Sequence, residues 1–400
     1  MRIILVFLLN IIKVGAISIV DNRNYPWRLP IRIYNEAITQ WPMLEKILAD
    51  IEGHTCIKFQ HVDNRIPNNE QGINVLFNSV NNKICEAPYV GAQTPIGAAP
   101  TNVYYDEDHC PYKKLFLQRL IHIALGQIPE HDRQDRDDHI TVYLDNVMGY
   151  KLSKFQKVNY ALYPEEKLPY NFGSITHGFW RHFTRESSMV AFEAKQYNFI
   201  RNRTMGQIFE VSFNDYKALN YMICSHECDN HKKLICEHGG YQNPKNCNEC
   251  SCPSGFTGKT CHDYVDFSGY IGGVTYYKCK AKRIIATNHW QKLKLESRLN
   301  CHYYIEAGKQ RRRIYLEIEN YHGETSEECY GANSIEIRYQ ADKGVTGLCL
   351  CNRYNYKFNV LSENNLLYLH YNGKYAWEYI NLKYKFVYQS EIGKYKETIK

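Results

Sequence analysis

Residues 115–138 read LFLQRLIHIALGQIPEHDRQDRDD, and this stretch decides how the first half of the chain is interpreted. Its apolar residues recur three and four positions apart, which predicts one buried face of an amphipathic helix. These residues are Leu117, Leu120, Ile121, Ala124 and Leu125. Gly126 follows the last of them, and a glycine at that point commonly ends a helix. We therefore expect a helix that ends at Gly126 and buries one face.

The histidines in and after this helix do not form a familiar metal motif. His122 has Gln118 and Gly126 four residues to either side, and no H-x-x-x-H occurs anywhere in the chain. We interpret His122 as a helix histidine that faces solvent or a polar neighbour. Later histidines could gather into a displaced metal site, but their spacing does not force them together. They are His131, His139 and His177.

The composition fits a folded, disulfide-bonded extracellular protein. With 44% hydrophobic and 14% aromatic residues in 400, the chain can bury more than one core, which excludes wholesale disorder and predicts two or three domains. The net charge of +7, from 49 basic and 42 acidic residues, forms no single basic block and argues against a nucleic-acid partner. Fifteen cysteines, nine of them between Cys224 and Cys301, indicate disulfides and hence secretion.

The N-terminus is typical of a secretory signal peptide, which we place at residues 1–17. Arg2 precedes an apolar run at residues 3–12, and the small residues Gly15, Ala16 and Ser18 follow at cleavage-site spacing. An uncleaved anchor is the alternative, but the run is shorter than the ~20 residues needed to span a bilayer. No later stretch is long and apolar enough for a membrane helix, so we expect no membrane span.

The spacing of the cysteines is sparse, then dense, then sparse again, and the dense region has its own signature. Six cysteines lie within residues 228–261, and the region ends in CPSGFTGKTC at residues 252–261. This ending resembles an EGF-like module. The alternative is half of a zinc ribbon at Cys247 and Cys250, but the chain has no second C-x-x-C to complete four ligands.

After residue 262 apolar and polar residues alternate, as in RIYLEIE at residues 313–319 and YAWEY at residues 375–379. Short alternating segments separated by Gly and Asn turns predict an all-β sandwich. The cysteines of this region, together with CHYYIEA at residues 301–307 and SIEI at residues 334–337, resemble a CUB domain. An ordinary disulfide-bonded β-sandwich is the alternative. One cysteine, Cys349 or Cys351, is left over when the other fourteen pair.

The first region resembles the astacin family of zinc metalloproteases. Residues 126–138 are similar to the stretch that continues the family's zinc signature, and Cys56 stands in EGHTCIKF, residues 52–59, as the family's early cysteine does. YNFGS at residues 170–174 looks like the approach to the Met-turn, and MGQ at residues 205–207, SFND at residues 212–215 and Cys224 look like the family's C-terminal helix.

The resemblance implies an α+β fold, with a two-lobed metzincin/astacin-like domain first, a small disulfide-rich EGF-like module next and an all-β CUB-like sandwich last. We place the astacin-like domain at residues 18–225, the EGF-like module at 226–262, the CUB-like sandwich at 263–390 and a tail at 391–400. The start of the mature enzyme would correspond to YPWRLP at residues 25–30, which leaves little room for an inhibitory pro-segment.

The resemblance also locates the family's active site, and no suitable side chain stands there. Astacins use H-E-x-x-H-x-x-G-x-x-H, in which three imidazoles hold zinc and the glutamate is the base. With the register anchored on the turn after the helix, the ligand positions hold Arg119, Ile123 and Pro129, and the base position holds Leu120. The sequence therefore predicts no catalytic residue, no metal ligand and no cofactor. Zinc belongs only to the alternative, a metalloendopeptidase with a non-standard metal site.

The neighbouring elements depart from the family in the same direction. SITHG at residues 174–178 has Thr176 in place of the Met-turn methionine and Gly178 in place of the tyrosine that assists the oxyanion. Pro88 interrupts the edge that would pair with a substrate backbone. A guanidinium at position 119 repels a metal ion, and we expect Arg119 to pair with a carboxylate such as Glu130 or, alternatively, to extend into solvent.

The family patterns further imply how the cysteines pair. The implied pairs are Cys56–Cys224, Cys85–Cys110, Cys228–Cys247, Cys236–Cys250, Cys252–Cys261, Cys279–Cys301 and Cys329–Cys351. Asn202 begins the N-x-T acceptor NRT in what should be a surface loop, which predicts N-glycosylation. We expect a secreted homologue that binds an extracellular protein or glycan rather than cleaving it. An active enzyme and a decaying copy without a function are the alternatives.

Overall fold

The computed structural model describes residues 27–36, 41–77, 85–93, 99–106, 110, 113–158, 168–266, 269–270, 277–279, 281–309 and 311–396. The expected signal peptide lies outside these residues. In the described part of the chain, no helix has the length and hydropathy to cross a bilayer.

The N-terminal region begins with a four-stranded sheet on which two helices pack. Its strand order is β2-β1-β3-β4, and all three pairings are parallel. The elements of the region are β1 (Ile31–Asn35), α1 (Trp41–His54), β2 (Phe59–His61), β3 (Ile73–Leu76), β4 (Thr101–Tyr104), α2 (Lys113–Leu125), α3 (Arg136–His139), β5 (Ile140–Val142), β6 (Phe192–Ala194), α4 (Asn198–Thr204) and α5 (Phe213–Ile223).

The helix expected from the apolar spacing is α2, and its five apolar residues are buried against the sheet and α1. It ends as predicted. Gly126 has φ 119°, its N–H donates to the Ile123 carbonyl, and the Gln127 N–H donates to the His122 carbonyl. This is a Schellman motif, which favours glycine because the backbone enters the left-handed region. Unlike the prediction of one buried face, α2 also buries polar residues, because Gln118 and His122 contact α1 or α5 and Arg119 contacts residues 175–206.

The N-terminal region has a second core, formed by residues that follow α2 in the chain. It joins β5 and β6, which pair antiparallel, with the segment around residues 170–172. Its buried members are Ile140, Val147, Phe155, Tyr170, Phe172, Ala191, Phe192, Ala194 and Met205. The N-terminal region therefore has two cores and, as expected, mixed helix and strand content.

The cysteine-dense region is held mainly by disulfides and short strand pairs. Its strands are β7 (Tyr241–Gln242), β8 (Cys250–Ser251), β9 (Phe256–Thr257) and β10 (Asp263–Tyr264), paired β7 with β8 and β9 with β10. Phe256 is buried against Tyr304 and Tyr368 of the C-terminal region. The region thus packs on the following sheet instead of forming a core of its own.

The C-terminal region is rich in strands. Its elements are β11 (Gly269–Tyr270), β12 (Tyr277–Lys278), β13 (Lys282–Ile285), β14 (Gln291–Glu296), β15 (Leu299–Glu306), β16 (Arg312–His322), β17 (Ile335–Arg338), β18 (Leu348–Leu350), β19 (Arg353–Tyr354), β20 (Phe358–Leu361), β21 (Leu366–Asn372), β22 (Tyr379–Tyr388) and α6 (Ile392–Lys396).

These strands form two sheets with the largest core of the molecule between them. One sheet has the order β11-β12-β15-β21-β17-β18, with β13 on β15, and the other β14-β22-β16-β19, with β20 on β16. The alternation expected at residues 313–319 is present, since Ile314, Leu316 and Ile318 are fully buried in that core. Part of the expected tail is ordered, because Ile392 and Tyr395 of α6 pack on the second sheet.

The cysteines form the seven pairs that the family patterns implied. Cys349 is the free cysteine and is buried. Both cysteines of the C-x-x-C at residues 247–250 are in disulfides, so the zinc-ribbon alternative is wrong.

Helix α4 connects the N-terminal region to the C-terminal core. Tyr197, which precedes the helix, and Ile200 within it belong to the core between the two C-terminal sheets. The Tyr197 hydroxyl donates to the Asn359 carbonyl at 3.0 Å. Lys217 of α5 forms an ion pair with Asp342 at 2.9 Å. Apolar and charged contacts therefore both hold the two regions together.

Candidate functional site

Arg119, at the position of the family's first zinc ligand, is buried in the middle of α2. Its guanidinium donates hydrogen bonds to the carbonyls of Ile175, His177 and Gly206. The side chain does not reach solvent, so the alternative of an extended Arg119 is wrong. Instead, it links α2 to the segment that resembles the Met-turn.

Glu130, the carboxylate expected beside Arg119, has a different partner. It forms an ion pair with Arg133 at 3.1 Å and accepts a hydrogen bond from the Asn171 N–H. Burial raises the pKa of Glu130 to about 7, against the attraction of Arg133. The expected Arg119–Glu130 pair is therefore wrong, because Arg133 is only three residues from Glu130 and Arg119 turns toward residues 175–177.

The other positions of the family's site hold apolar side chains. Leu120 is buried in the core of the N-terminal sheet. Ile123 is half-buried, and its carbonyl accepts hydrogen bonds from Gly91 and Gly126. Pro129 precedes the 3-10 turn Glu130–Asp132. None of these side chains offers an electron pair to a metal ion or can accept a proton from water.

The buried carboxylate of Asp215, near the start of α5, holds segment 174–178 in place. Asp215 accepts hydrogen bonds from the Ser174 hydroxyl and the Ile175 N–H, and with Ser212 it forms a capping box that begins α5. Gln127, just after α2, also donates to Asp215. This network sets the position of the carbonyls that Arg119 binds.

Position 178, at the end of the same segment, leaves no room for a tyrosine. Thr176 donates its hydroxyl to the Ile128 carbonyl at 3.1 Å. A Cβ placed on Gly178 would lie 2.9 Å from the His131 ring and 3.2 Å from Phe192. These distances are too short for carbon contacts unless the neighbours move. Gly178 therefore allows His131 to pack where a larger residue would exclude it.

His122 is buried against a polar neighbour, which was one of the two expectations for it, and does not face solvent. Its Nδ1 lies 2.8 Å from Oε1 of Gln127. Its Nε2 is buried without a hydrogen-bond partner among the described residues. Burial lowers the pKa of His122. The ring of Tyr216 lies beside it, with 5.8 Å between centroids.

Two of the three later histidines do come together, and a fourth joins them. His131 lies 5.7 Å from His177 and 6.0 Å from His182, measured between ring centroids. His139 stacks on Tyr170 instead, at 4.5 Å. The sequence analysis did not single out His182. The available signal was its position only four residues after segment 174–178, which resembles the Met-turn.

Three ring nitrogens of His131 and His177 are already hydrogen-bonded within the chain. His131 Nδ1 accepts the Gly178 N–H at 2.9 Å, so the neutral ring carries its proton on Nε2. His177 Nδ1 donates to the Gly178 carbonyl and Nε2 accepts from the Tyr170 hydroxyl, each at 2.8 Å. Burial, together with the charges of Arg119 and Arg133, lowers the pKa of His177 to about 3. The rings of His131 and His177 are therefore held by hydrogen bonds within the chain.

The residues around Arg119 do not fit the zinc ion that the family uses. Zinc requires imidazole, thiolate or carboxylate ligands, whereas here a cation already binds three carbonyl oxygens. In the described residues no group of three or more His, Cys, Asp or Glu side chains is arranged to hold a metal. We derive no catalytic step through zinc from this site.

The N-glycosylation acceptor lies on a helix, so the expectation of a surface loop is wrong. Asn202 is half-buried in α4 and Thr204 is buried at its end, because α4 packs between the two regions. The Asn202 Oδ1 accepts the Ala194 N–H, and its Nδ2 points toward the Glu193 carboxylate at 3.5 Å. Nothing in the structure tests whether a glycan is attached.

Residues 21–224 match the sequence model of the peptidase family described as Astacin. Among curated proteins the chain is similar to zinc metalloproteinase nas-34 of Caenorhabditis elegans, with 31% identity over 62% of this chain and 38% of that protein. It is also similar to zinc metalloproteinase dpy-31 of Brugia malayi, with 30% identity over 79% of this chain and 50% of that protein. The chain thus spans half or less of the length of these relatives.

Among solved structures, the chain is similar to high choriolytic enzyme 1, a hatching enzyme zinc-protease from Oryzias latipes. The sequence identity is 18% and the TM-score 0.42, over 50% of this chain and 96% of that one.

Proposed function

Since the chain belongs to the astacin family, we propose that it is a family member whose site no longer binds zinc or cleaves peptides, and which acts outside the cell by binding a ligand. The observation that carries the proposal is Arg119. A permanently charged guanidinium occupies the position of a metal ligand and is fixed there by three carbonyls. The names of the relatives describe zinc metalloproteinases, and that activity is the alternative for this chain.

Secretion is part of the proposal. Seven disulfides in the described residues are typical of a protein that folds in an oxidising compartment. The signal peptide proposed at residues 1–17 would deliver the chain there. We propose an extracellular protein or glycan as the ligand and no nucleic acid, because the net charge of +7 is spread over 400 residues.

We further propose the domains as residues 18–225 astacin-like, 226–262 EGF-like and 263–390 CUB-like. The cysteine pairs of the middle region, first with third, second with fourth and fifth with sixth, support an EGF-like module. Two packed sheets support the CUB-like sandwich. Both types of module serve as docking surfaces or spacers, which agrees with a binding function.

Metal content and proteolysis of the secreted, intact chain test the proposal. We expect zinc far below one mole per mole of protein and no cleavage of a general protease substrate. The double variant Arg119→His/Leu120→Glu should also be inactive, because Ile123 and Pro129 still leave two of three ligands missing. Cleavage by the unmodified chain that a chelator abolishes would establish the alternative.

A further inference from the structure

The outer face of the second C-terminal sheet carries lysines on two neighbouring strands. Residues of β22 alternate between the core and the outside, and the alternation leaves Lys383 and Lys385 on the outer side. On β14, which pairs with β22, Lys292 and Lys294 occupy exposed positions. We name these four residues the lysine face.

The pairing of the two strands brings like charges together. Lys292 lies directly opposite Lys383, whereas Lys294, which pairs with Glu296 on its own strand, lies opposite Asn381. Side chains directly opposite each other on antiparallel strands have Cβ atoms about 4.5–5.5 Å apart, and like charges at such positions destabilise a sheet. The lysine face therefore contains a repulsion that an anion bound between the two lysines would relieve.

The ring of Trp290, which precedes β14, contacts two of the lysines. The Nζ atoms of Lys383 and Lys385 lie 4.7 and 4.9 Å from its centroid. An ammonium group at this distance from an indole ring is attracted to it. Trp290 is 41% exposed, and the Lys383 side chain is 22% exposed. The ring thus holds two cations close together at the surface, where a ligand can reach them.

The carboxylates of this face neutralise only part of its charge. Glu317 pairs with Lys383 at 2.9 Å, and the negative charge of Glu319 also acts on Lys383. Within the described part of the chain, neither Lys292 nor Lys385 forms an ion pair, and the Lys385 ammonium donates to a tyrosine hydroxyl instead. Two ammonium groups of the lysine face are therefore left without an anion.

We propose that the lysine face binds a sulfated polysaccharide outside the cell. Alternate residues of a strand lie about 7 Å apart and neighbouring strands about 5 Å apart, so the lysines form an extended array and not a pocket for one small ion. A linear polymer with repeated sulfate groups matches this array, because sulfate esters stay ionised and one polymer chain can contact several lysines at once. The inference rests on the proposed binding function and specifies its ligand.

An acidic membrane fits this face less well. Proteins that bind at a membrane surface combine basic residues with apolar side chains that insert between the lipids. The outward positions of β14 and β22 between Lys292 and Lys385 hold lysine and asparagine, and the indole of Trp290 is already engaged by two ammonium groups. A polyanion that lies on the surface without insertion agrees better with these side chains.

Binding of heparin to the intact secreted chain tests the proposal. The double variant Lys292→Gln/Lys385→Gln removes the two charges that have no anion, and it should weaken heparin binding by about tenfold or more. Lys232→Gln/Lys233→Gln is the matched control, because it removes the same charge from exposed lysines of the cysteine-dense region. The control should weaken binding by about twofold or less, since it changes only the net charge of the chain.

The unfolding temperature shows whether the variant still folds. Lys292→Gln removes one of two like charges that face each other, so the stability of the variant should be unchanged or slightly higher. Heparin should raise the unfolding temperature of the unmodified chain and of the control more than that of Lys292→Gln/Lys385→Gln. Added salt should weaken heparin binding to the unmodified chain, because it screens the exposed lysines.

Three further probes identify the ligand. They are heparin without its sulfate groups, poly-glutamate and vesicles that contain phosphatidylserine, and each should bind far more weakly than heparin. Poly-glutamate or vesicles that bind as tightly as heparin would assign the face to an acidic protein or a membrane and overturn the proposal. Equal losses of heparin binding in the two double variants would overturn it as well, because net charge alone would then explain the binding.

Failure of this proposal can be told apart from failure of the proposed function. A chain that does not bind heparin, but lacks zinc and still captures another extracellular ligand, would lose only the polysaccharide site. A chain that contains zinc and cleaves peptides in a chelator-sensitive reaction would instead overturn the proposed function, whether or not heparin binds.

Discussion

Two buried arginines, one in each half of the molecule, satisfy their charge in opposite ways. Arg338 of β17 is paired with Glu336 two residues earlier, through two hydrogen bonds of 2.9 and 2.8 Å. Burial acts to lower the pKa of Arg338, but the charge and hydrogen bonds of Glu336 outweigh it and raise the pKa. Arg119, in contrast, donates only to backbone carbonyl oxygens among the described residues.

The difference separates a local ion pair from a long-range set of hydrogen bonds. Residues two apart on a strand lie on the same face, so Glu336 and Arg338 meet wherever the strand forms. The carbonyls that Arg119 binds lie 56, 58 and 87 residues further along the chain. The environment of Arg338 therefore forms with its own strand, whereas that of Arg119 forms only when distant segments pack together.

Glu336→Gln should have the largest effect, because it leaves Arg338 buried without its anion. We expect the free energy of unfolding to fall by about 3–5 kcal/mol, as for other buried pairs that lose one partner. Denaturant unfolding measures this. Glu296→Gln, which removes one partner of the exposed pair Lys294–Glu296, is the control and should change little. Equal effects of the two substitutions would remove the distinction between the pairs.

Arg119→Met should have a smaller effect, because it removes a buried charge together with its hydrogen bonds. Carbonyls of residues 175, 177 and 206 lose a charged donor, which we expect to cost about 2–3 kcal/mol. A double-mutant cycle with Asp215→Asn sharpens the comparison, because Asp215 accepts the Ile175 N–H while Arg119 binds the Ile175 carbonyl. The two substitutions should be non-additive, as expected for groups that fix the same segment. Strict additivity would show that Arg119 and Asp215 act on the chain independently.

Acid should lower the free energy of unfolding, because His177 and His182 are buried as neutral rings. Burial lowers the pKa of His177 and of His182 to about 3, so these rings stay neutral in the folded chain while the unfolded chain binds protons below about pH 6.5. Stability is therefore fully present above pH 6.5 and falls toward pH 3, by up to about 1.4 kcal/mol per pH unit for each histidine.

Denaturant unfolding at several pH values, with His177→Gln as the test variant, measures this slope. Glu130 acts in the opposite direction, because burial raises its pKa to about 7 and the folded chain then holds a proton that the unfolded chain releases. His177→Gln does not change the contribution of Glu130. The difference in pH dependence between the variant and the unmodified chain therefore measures the contribution of His177. An unchanged slope in the variant would contradict its burial as a neutral ring.

The smallest effect concerns Asn202, whose glycosylation remains a prediction. Its Nδ2 donates to the Glu193 carboxylate of β6 at 3.5 Å, so a glycan attached there should cost no more than this one weak hydrogen bond. Secreted protein should lose mass when treated with a glycan-releasing enzyme, and Asn202→Gln should abolish that loss. A variant that migrates like the unmodified chain would show that the acceptor is not used.

Local patterns in the sequence predicted much of the fold. The spacing of Leu117 to Leu125 located α2, the glycine after it marked its end, and alternation at residues 313–319 located a strand of the C-terminal core. Each of these signals depends on near neighbours in the chain. Resemblance supplied the disulfide pairs, including Cys56 with Cys224, which no local pattern contains.

The contacts of the candidate site could not be predicted in this way. Glu130 is the first acidic residue after the helix that holds Arg119, yet it pairs with Arg133, and Arg119 binds the carbonyls of residues 175, 177 and 206 instead. The sequon at Asn202 has charged neighbours typical of a loop, but packing of Ile200 into another region's core favours a helix. Long-range packing determines both the partners of Arg119 and the helix at Asn202. The spacing of residues in the sequence carries no information about such packing.

Tyr197 and Ile200 give the molecule a property that its modular sequence conceals. Their side chains complete the core between the C-terminal sheets, although they lie at the start of a helix in the preceding region. Suppose that recombination replaced the C-terminal region with that of a relative. Tyr197 and Ile200 would then have no core to pack into, and the original β-sandwich would lose two side chains that fill its core. In this chain, the region boundaries drawn from cysteine spacing are therefore poor places for recombination, and both halves are constrained to evolve together.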